Sequence, residues 1–295
     1  MQQFFKFVFA SCLGVLLSLL VFSFLMIAFV GGAAASFGSK EPVTVKPNSV
    51  LEVSFGPALP EKTNNVTPQG GFNFETDDVV GLFDMVEGIE YAKTDDDIKG
   101  IYLNVDFVPG GMVTRSTLRD ALIDFKESGK FIVAYSKYYT QNAYYLASVA
   151  DDISVHPSGG IDFRGYGAQI PFFKNALDKL GVKMEVYYAG QFKSATEPFR
   201  LTEMSDQNRR QIREYLAPLY QKFLDDIGEA RNIESSEVRR IANEWLLRAP
   251  EDAVTYKFAD RVGYKDQVID VLRERIGLES DDKVYKINIK DYAMK

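Results

Sequence analysis

The stretch best suited to chemistry is residues 187–199, which read YYAGQFKSATEPF. Residues 184–188 have the pattern of a β-strand, so Lys193 would follow that strand at its carboxyl end, where open parallel sheets bind ligands. A lysine desolvated there would lose its charge and could act as a general base near neutral pH. An ordinary solvated lysine is the alternative interpretation. Ser194 is a poor nucleophile for Lys193 because adjacent side chains diverge, so a capping role suits it better.

The sequence holds one histidine and one cysteine, which narrows the possible chemistry. His156 would have to serve any Ser-His or Cys-His mechanism, and no carboxylate lies at a useful spacing to orient it. It follows a short strand and precedes Pro157, so a packed or partly exposed imidazole is expected. Cys12 lies in an apolar run and is expected to be a packing residue. This composition excludes a His-rich zinc site and a disulfide framework, so a hydrolase would have to use lysine or paired carboxylates.

Two glycine pairs and one acidic run are further candidates. Gly110 and Gly111 follow an apolar strand, and their backbone N–H groups could form an oxyanion-binding loop. A turn before the next helix is the alternative for this pair. Gly159 and Gly160 are expected to form a plain turn. The acidic run 95–97 could ligate a metal, but a solvated loop is favoured, so no metal site is predicted.

Helices alternate with short apolar strands through the first two thirds of the chain. Strands are predicted at 50–55, 98–105, 131–135, 153–155 and 184–188, and helices at 77–93, 116–128, 141–150 and 172–180. This alternation predicts right-handed crossovers and a largely parallel sheet, which is an α/β fold.

The alternation ends after residue 188, and a helical region follows. Helices are predicted at 205–232, 235–245, 250–260 and 266–276, with Pro218 kinking the first of them, and a last strand at 284–289. The predicted organisation is an N-terminal membrane anchor at 1–36, a tether at 37–48, an α/β core at 49–200, and a helical arm with a final strand at 201–295.

The amino-terminal region is apolar, whereas the rest of the chain is acidic. Residues 7–30 form a run of 24 without Asp, Glu, Lys or Arg, which is long enough to span a bilayer as a helix. The run is longer than the apolar part of a signal peptide, so a retained anchor is favoured over a cleaved signal. Lys6 favours a cytoplasmic amino terminus. Residues 41–295 hold 32 basic and 41 acidic side chains, which gives no support to nucleic-acid binding.

The sequence resembles the SppA family, the membrane-anchored signal peptide peptidases. The strongest similarity is GQFKSATEPF at 190–199, followed by Glu-Met-Ser at 203–205. Three further segments occur in the expected order: IKGIYLNV at 98–105, SGKFIVAYS at 128–136 and YYLASVADDISVHPSGGIDFRGY at 144–166. The resemblance covers essentially the whole chain.

The resemblance implies a ClpP/crotonase-like spiral of β-β-α units carrying the N-terminal transmembrane helix and the C-terminal helical arm. It also implies peptide hydrolysis by a Ser/Lys dyad without a cofactor, in which Lys193 is the general base. In the long form of the family, the N-terminal half supplies the lysine and the C-terminal half supplies the serine. Gly110 and Gly111 correspond to the oxyanion loop.

The nucleophile position departs from the family pattern. The family has a Ser-Gly-Gly-Tyr segment at the start of a helix, where this chain has Gln141-Asn142-Ala143-Tyr144. Glutamine has no nucleophilic oxygen, so the serine is expected in a missing C-terminal half. The chain is thus expected to be the N-terminal half of the long form.

The expected function is that of a membrane-anchored serine endopeptidase degrading cleaved signal peptides and other apolar peptides. The alternative is a catalytically inactive assembly or binding module of a membrane-tethered ring. The expected partners are apolar peptides, the bilayer, a serine-bearing half and further copies of the chain. The expected location is the bacterial inner membrane, single-pass, with the soluble domain on the periplasmic side.

Overall fold

The computed structural model describes residues 2–37, 44–63 and 79–293, and the chain divides into compact units at 1–44 and 45–295. The first unit contains the long helix α1, Gln2–Phe37. Within it, Lys6–Phe29 has a mean hydropathy of 2.7 and its side chains are exposed. This stretch is long and apolar enough to cross a membrane, a property that amino-terminal signal sequences share.

The second unit is built around a six-stranded sheet in which every pair of neighbouring strands is parallel. The strand order is β5-β4-β3-β2-β1-β6. The strands are β1 Ser49–Val53, β2 Ile98–Asn104, β3 Phe131–Tyr139, β4 Asp152–Ile161, β5 Arg261–Val262 and β6 Lys286–Asn288. The predicted α/β class is therefore confirmed.

Helices connect the strands and cover both faces of the sheet. They are α2 Leu82–Thr94, α3 Met112–Lys126, α4 Gln141–Ala147, α5 Lys174–Lys179, α6 Glu197–Arg200, α7 Asp206–Arg231, α8 Ser235–Asn243, α9 Pro250–Thr255, α10 Lys265–Ile276 and α11 Ile289–Ala293. A single 3₁₀ turn, Ser194–Thr196, precedes α6.

The central strands are buried on both faces, which explains their almost continuous apolar sequences. Leu51, Ile101 and Ile132 belong to the larger core, together with residues of α2, α3 and α4. Their neighbours Tyr102 and Val133 point the other way and pack into a smaller core with residues of α10. The alternation of side chains along each strand therefore supplies both layers.

The C-terminal residues complete the sheet at both edges. β6 pairs with β1 through Leu51 and Ile287, and β5 pairs with β4 through Val155 and Val262. The Tyr144 hydroxyl also donates to the Phe258 carbonyl oxygen at 2.9 Å, joining α4 to the loop after α9. Residues after 200 thus belong to the same compact unit as the central strands.

The prediction of a strand at 184–188 is wrong, since these residues pair with no strand in the described part of the chain. The edge of the sheet beside β4 is occupied by β5, whose residues Arg261 and Val262 pair with Ser154 and Val155. Residues 184–188 therefore could not add to the sheet at that edge. Its residues lie in an exposed segment without regular structure instead.

The plain turn predicted at Gly159-Gly160 is also wrong, because both glycines lie inside β4. The register between β3 and β4 shifts between Ser136 and Tyr138. A Cβ atom on Gly159 would lie 1.6 Å from the carbonyl oxygen of Lys137. The glycine therefore permits a close approach of the two backbones at this bulge.

Candidate active site

Asp106 joins the carboxyl ends of β2 and β3. Its carboxylate accepts hydrogen bonds from the Ser136 hydroxyl and from the Lys137 N–H group. Its carbonyl oxygen accepts from the N–H and hydroxyl groups of Thr140, at 3.2 and 3.0 Å. Thr140 in turn caps α4 by accepting the N–H group of Ala143. These bonds fix the start of α4, and no pattern in the sequence had indicated Asp106.

Gln141, the residue at the nucleophile-equivalent position, begins α4 and holds the segment after β4. Its side-chain oxygen accepts the N–H groups of Arg164 and Gly165, both at 3.0 Å. Its side-chain nitrogen donates to the carbonyl oxygen of Gly165 at 3.3 Å. The carboxamide thus pairs with this backbone as a neighbouring strand would.

The Gly110-Gly111 pair forms a tight loop at the start of α3. Gly110 has φ +93°, and a Cβ atom there would meet the Thr114 side chain at 2.9–3.0 Å. Arg115 donates to the Gly110 carbonyl oxygen at 2.8 Å. Gly111 is the N-cap of α3 and provides no side-chain acceptor. The first N–H groups of α3 therefore lack a side-chain cap, as an oxyanion-binding loop would require.

Lys193 is exposed in this structure, so the described residues do not desolvate it. It also does not follow a strand of the sheet, but lies between Gly190, at φ +94°, and the 3₁₀ turn. Within the described residues no hydrogen bond joins it to Gln141 or to the loop at Gly110. The surface that would desolvate Lys193 therefore does not come from this part of the chain.

The carboxylate of Glu197 is the buried anchor of the lysine-bearing segment. Glu197 is 2% exposed. It accepts hydrogen bonds from the Ser205 hydroxyl at 2.6 Å and from the Asn208 side chain at 2.9 Å. Arg200 lies 3.8 Å from the same carboxylate, and its guanidinium carbon lies 4.0 Å from the ring centroid of Tyr188. These contacts join α6, the cap of α7 and the segment before Gly190.

The hydrogen bonds also control the ionisation of Glu197. Burial alone would raise its pKa, but the hydrogen bonds from Ser205 and Asn208 outweigh burial and lower the pKa below its ordinary value. Two local features of the sequence are consistent with a structural role for Glu197. Glu197 precedes Pro198 at the start of a helix, and the Ser205-Asp206 cap of α7 follows shortly afterwards.

We expect Glu197→Gln to destabilise the protein in a pH-dependent way. A carboxylate with a lowered pKa stabilises the fold above its unfolded pKa, and this contribution is lost as the pH falls through its folded value. At pH 7 the variant should lose about 2 kcal/mol, or roughly 5 °C in Tm.

The measurement is thermal unfolding of the full chain in detergent at pH 7 and at successively lower pH. The difference from wild type should shrink once the pH falls below about 4. Glu203→Gln is the matched control, because Glu203 is exposed in the same segment. Equal effects of the two substitutions at pH 7 would contradict the role of Glu197.

His156 has the packed, partly exposed environment that the sequence predicted. Its ring meets Tyr264 edge-on with centroids 5.1 Å apart, and its Nδ1 atom accepts the N–H group of Ser158 at 3.0 Å.

The acidic run 95–97 likewise forms local hydrogen bonds. Asp95 accepts the N–H group of Asp97 and the hydroxyl of Tyr292, at 3.0 and 2.8 Å. The geometry therefore gives neither group a part in the candidate site.

Comparison with known proteins shows similarity to one group of peptidases. The family model described as Peptidase family S49 matches residues 124–279. Protease 4 of Haemophilus influenzae is 31% identical over 222 residues, covering 72% of this chain and 36% of that protein. Protease 4 of Salmonella typhi is also 31% identical, with the same shares covered. The chloroplastic serine protease SPPA of Arabidopsis thaliana is 27% identical, covering 72% of this chain and 32% of that protein. The match thus spans about a third of the length of each relative.

Proposed function

This chain belongs to peptidase family S49, and we propose that it provides the lysine half of a membrane-anchored serine endopeptidase with a Ser/Lys dyad. Family membership and the parallel sheet with alternating helices confirm the predicted ClpP/crotonase-like fold. The proposed substrates are cleaved signal peptides and other apolar peptides. The candidate membrane helix Lys6–Phe29 supports a bilayer anchor, with the second unit on the extracytoplasmic side.

The observation that carries this proposal is the presence of the lysine motif in a chain with glutamine at the nucleophile position. Gln141 is held by Arg164 and Gly165, and its carboxamide has no nucleophilic oxygen. Lys193 is exposed, so a second protein surface can reach it. A second S49 unit bearing the Ser-Gly-Gly-Tyr segment would therefore complete the dyad.

In the proposed reaction, the partner's serine hydroxyl transfers its proton to the neutral Nζ atom of Lys193 as its oxygen attacks the scissile carbonyl. Covering Lys193 with apolar surface from the partner would favour that neutral amine. Backbone N–H groups hold the negative oxygen of the tetrahedral intermediate. The lysine then gives its proton to the leaving amine. Water, deprotonated by the same lysine, hydrolyses the acyl-enzyme, and the lysine returns this proton to the serine oxygen as the second peptide leaves.

Reconstitution tests this proposal. The full chain is mixed with an S49 unit that carries the Ser-Gly-Gly-Tyr segment, and cleavage of a fluorogenic apolar peptide is followed. Neither component alone should cleave, and the mixture should. A fluorophosphonate probe should label the partner and leave this chain unlabelled. Labelling of Ser136, Ser158 or Ser194 in this chain would overturn the assignment of the nucleophile to the partner.

A second candidate function is a catalytically inactive assembly module of a membrane-tethered ring. It is supported by exposed apolar side chains near the lysine segment: Leu180 is 75%, Tyr187 92% and Phe192 51% exposed. Such a patch is typical of a surface that another subunit covers. If reconstitution restored no cleavage while the chain formed oligomers in detergent, this second function would be favoured.

A further inference from the structure

A groove lies between the segment after β4 and one face of α7. Tyr166–Ala168 form one wall, and Ile212, Leu216 and Tyr220 lie on the other. The groove has a volume of about 340 Å³, which lies in the range of small-ligand sites. Met204, from the segment held by Glu197, also lines it. The groove therefore extends from the segment that Gln141 holds to the segment that follows the lysine motif.

The backbone along the first wall is available for pairing. Residues 166–168 belong to no helix or strand, and none of their N–H or C=O groups has a hydrogen-bond partner within the described parts of the chain. Gln141 accepts the N–H groups of Arg164 and Gly165, the two residues before this wall. These hydrogen bonds fix the position at which the wall begins. Unpaired backbone groups beside apolar side chains can pair with the backbone of an added peptide.

The rim of the groove carries positive charge in an otherwise acidic protein. Arg209 and Arg213 lie one helical turn apart on α7, and both are exposed. Neither forms an ion pair within the described residues, and the lining of the groove includes no Asp or Glu. The chain as a whole has a formal charge of −7. Two free guanidinium groups beside apolar walls favour a ligand that is apolar with one anionic end.

The hydroxyl of Tyr220 is an unsatisfied donor beside the wall of the groove. It is buried and has no hydrogen-bond partner within the described residues. It lies beside Gly165, where an added Cβ atom would come within 3.5 Å of it. A buried hydroxyl without a partner is costly, so this side of the groove holds one donor that the described residues leave unsatisfied.

We propose that this groove binds the carboxyl-terminal end of an apolar peptide, with Arg209 and Arg213 recognising the free α-carboxylate. The inference rests on the proposed function and specifies which peptides the chain would select. A peptide released by an earlier proteolytic cut carries such a carboxylate, whereas an internal segment of an intact protein does not. The two arginines would thus distinguish cleaved peptides from unprocessed chains.

Peptide binding to the full chain in zwitterionic lipid nanodiscs tests the proposal. The probes are fluorescein-labelled Leu-Ala-Leu-Ala-Leu-Ala with a free carboxylate and the same peptide with a carboxamide end, and the readout is fluorescence anisotropy. We expect the carboxylate peptide to bind about 10-fold more tightly than the amide. The double variant Arg209→Gln/Arg213→Gln should bind both peptides with the affinity that wild type shows for the amide.

Arg210→Gln is the matched control, because Arg210 lies on the same helix but faces Glu214 at 3.9 Å and does not line the groove. It should preserve the preference for the carboxylate. Equal binding of the two peptides by wild type would overturn the proposal, as would a preference that survives in the double variant. Lipid copurification supplies a further arm. If the double substitution left the peptide preference unchanged but lowered the amount of phosphatidylglycerol that copurifies with the detergent-solubilised chain, the arginines would be a lipid contact instead.

The assay contains no serine-bearing partner, so its outcome is separate from that of the reconstitution. Cleavage by the mixture without carboxylate preference would overturn the groove assignment alone. Carboxylate preference without cleavage would retain the groove and overturn the proposed catalytic role.

Discussion

Lys193→Met is expected to lower kcat of the reconstituted peptidase by about 1,000-fold or more, with little change in KM. Methionine has a similar length but no amine, so the partner's serine would lose its general base. The measurement is steady-state cleavage of a fluorogenic apolar peptide by the mixture. Lys183→Met is the matched control, since Lys183 is exposed in the same segment and lies outside the lysine motif. The control should retain cleavage close to that of wild type.

Lys193→Arg separates loss of the base from loss of positive charge. A guanidinium stays protonated at any pH at which the protein is folded, so this variant should be as inactive as the methionine variant. Its reaction with a fluorophosphonate probe should also be slow, because the partner's serine is no longer deprotonated. If either Lys193 variant cleaved at the wild-type rate, another group would have to be the base.

The central strands could be predicted from sequence because burial on both faces gives each of them a short, nearly continuous apolar run. β2 was predicted at 98–105 and observed at Ile98–Asn104. β3 was predicted to end at 135 but continues to Tyr139. Its last residues are held by pairing with β4 beyond the register shift, and nothing local to residues 136–139 indicates that pairing.

The edges of the sheet could not be predicted in this way. β5 consists of Arg261 and Val262 alone, and its existence depends on pairing with Ser154 and Val155 more than 100 positions earlier. The apolar pattern at 184–188 gave a stronger local signal, but that segment remains exposed. Pairing between distant segments decides which of them occupies an edge of the sheet. This pairing leaves no periodic pattern in the sequence, so it could not be predicted.

In the candidate site too, local features could be predicted from the sequence, whereas long-range contacts could not. The conformation at Gly110 could be anticipated from residue type, because a glycine pair after a strand favours a tight loop. The bond between Gln141 and Gly165 and the burial of Glu197 depend on segments that meet only in the folded chain. Lys193 is exposed in the described structure, so its desolvation depends on the partner surface that we propose.

Gly159→Ala is expected to destabilise the protein by about 3 kcal/mol, or roughly 6–12 °C in Tm. The added Cβ atom would lie 1.6 Å from the Lys137 carbonyl oxygen, so the backbones of β3 and β4 would have to separate. Gly159 does not have a positive φ, so the expected loss arises from this contact and not from backbone strain. Thermal unfolding of the full chain in detergent measures the effect.

Gly160→Ala is the matched control for this substitution. A Cβ atom at Gly160 would lie 3.6 Å from the ring of Tyr138, an ordinary contact, so the change in Tm should be much smaller. Similar losses for both variants would contradict a specific contact at Gly159. Because Lys137 lies three residues before Thr140, which caps α4, separating β3 from β4 should also displace Gln141. Gly159→Ala should therefore reduce cleavage by the reconstituted enzyme even below its lowered Tm, whereas Gly160→Ala should not.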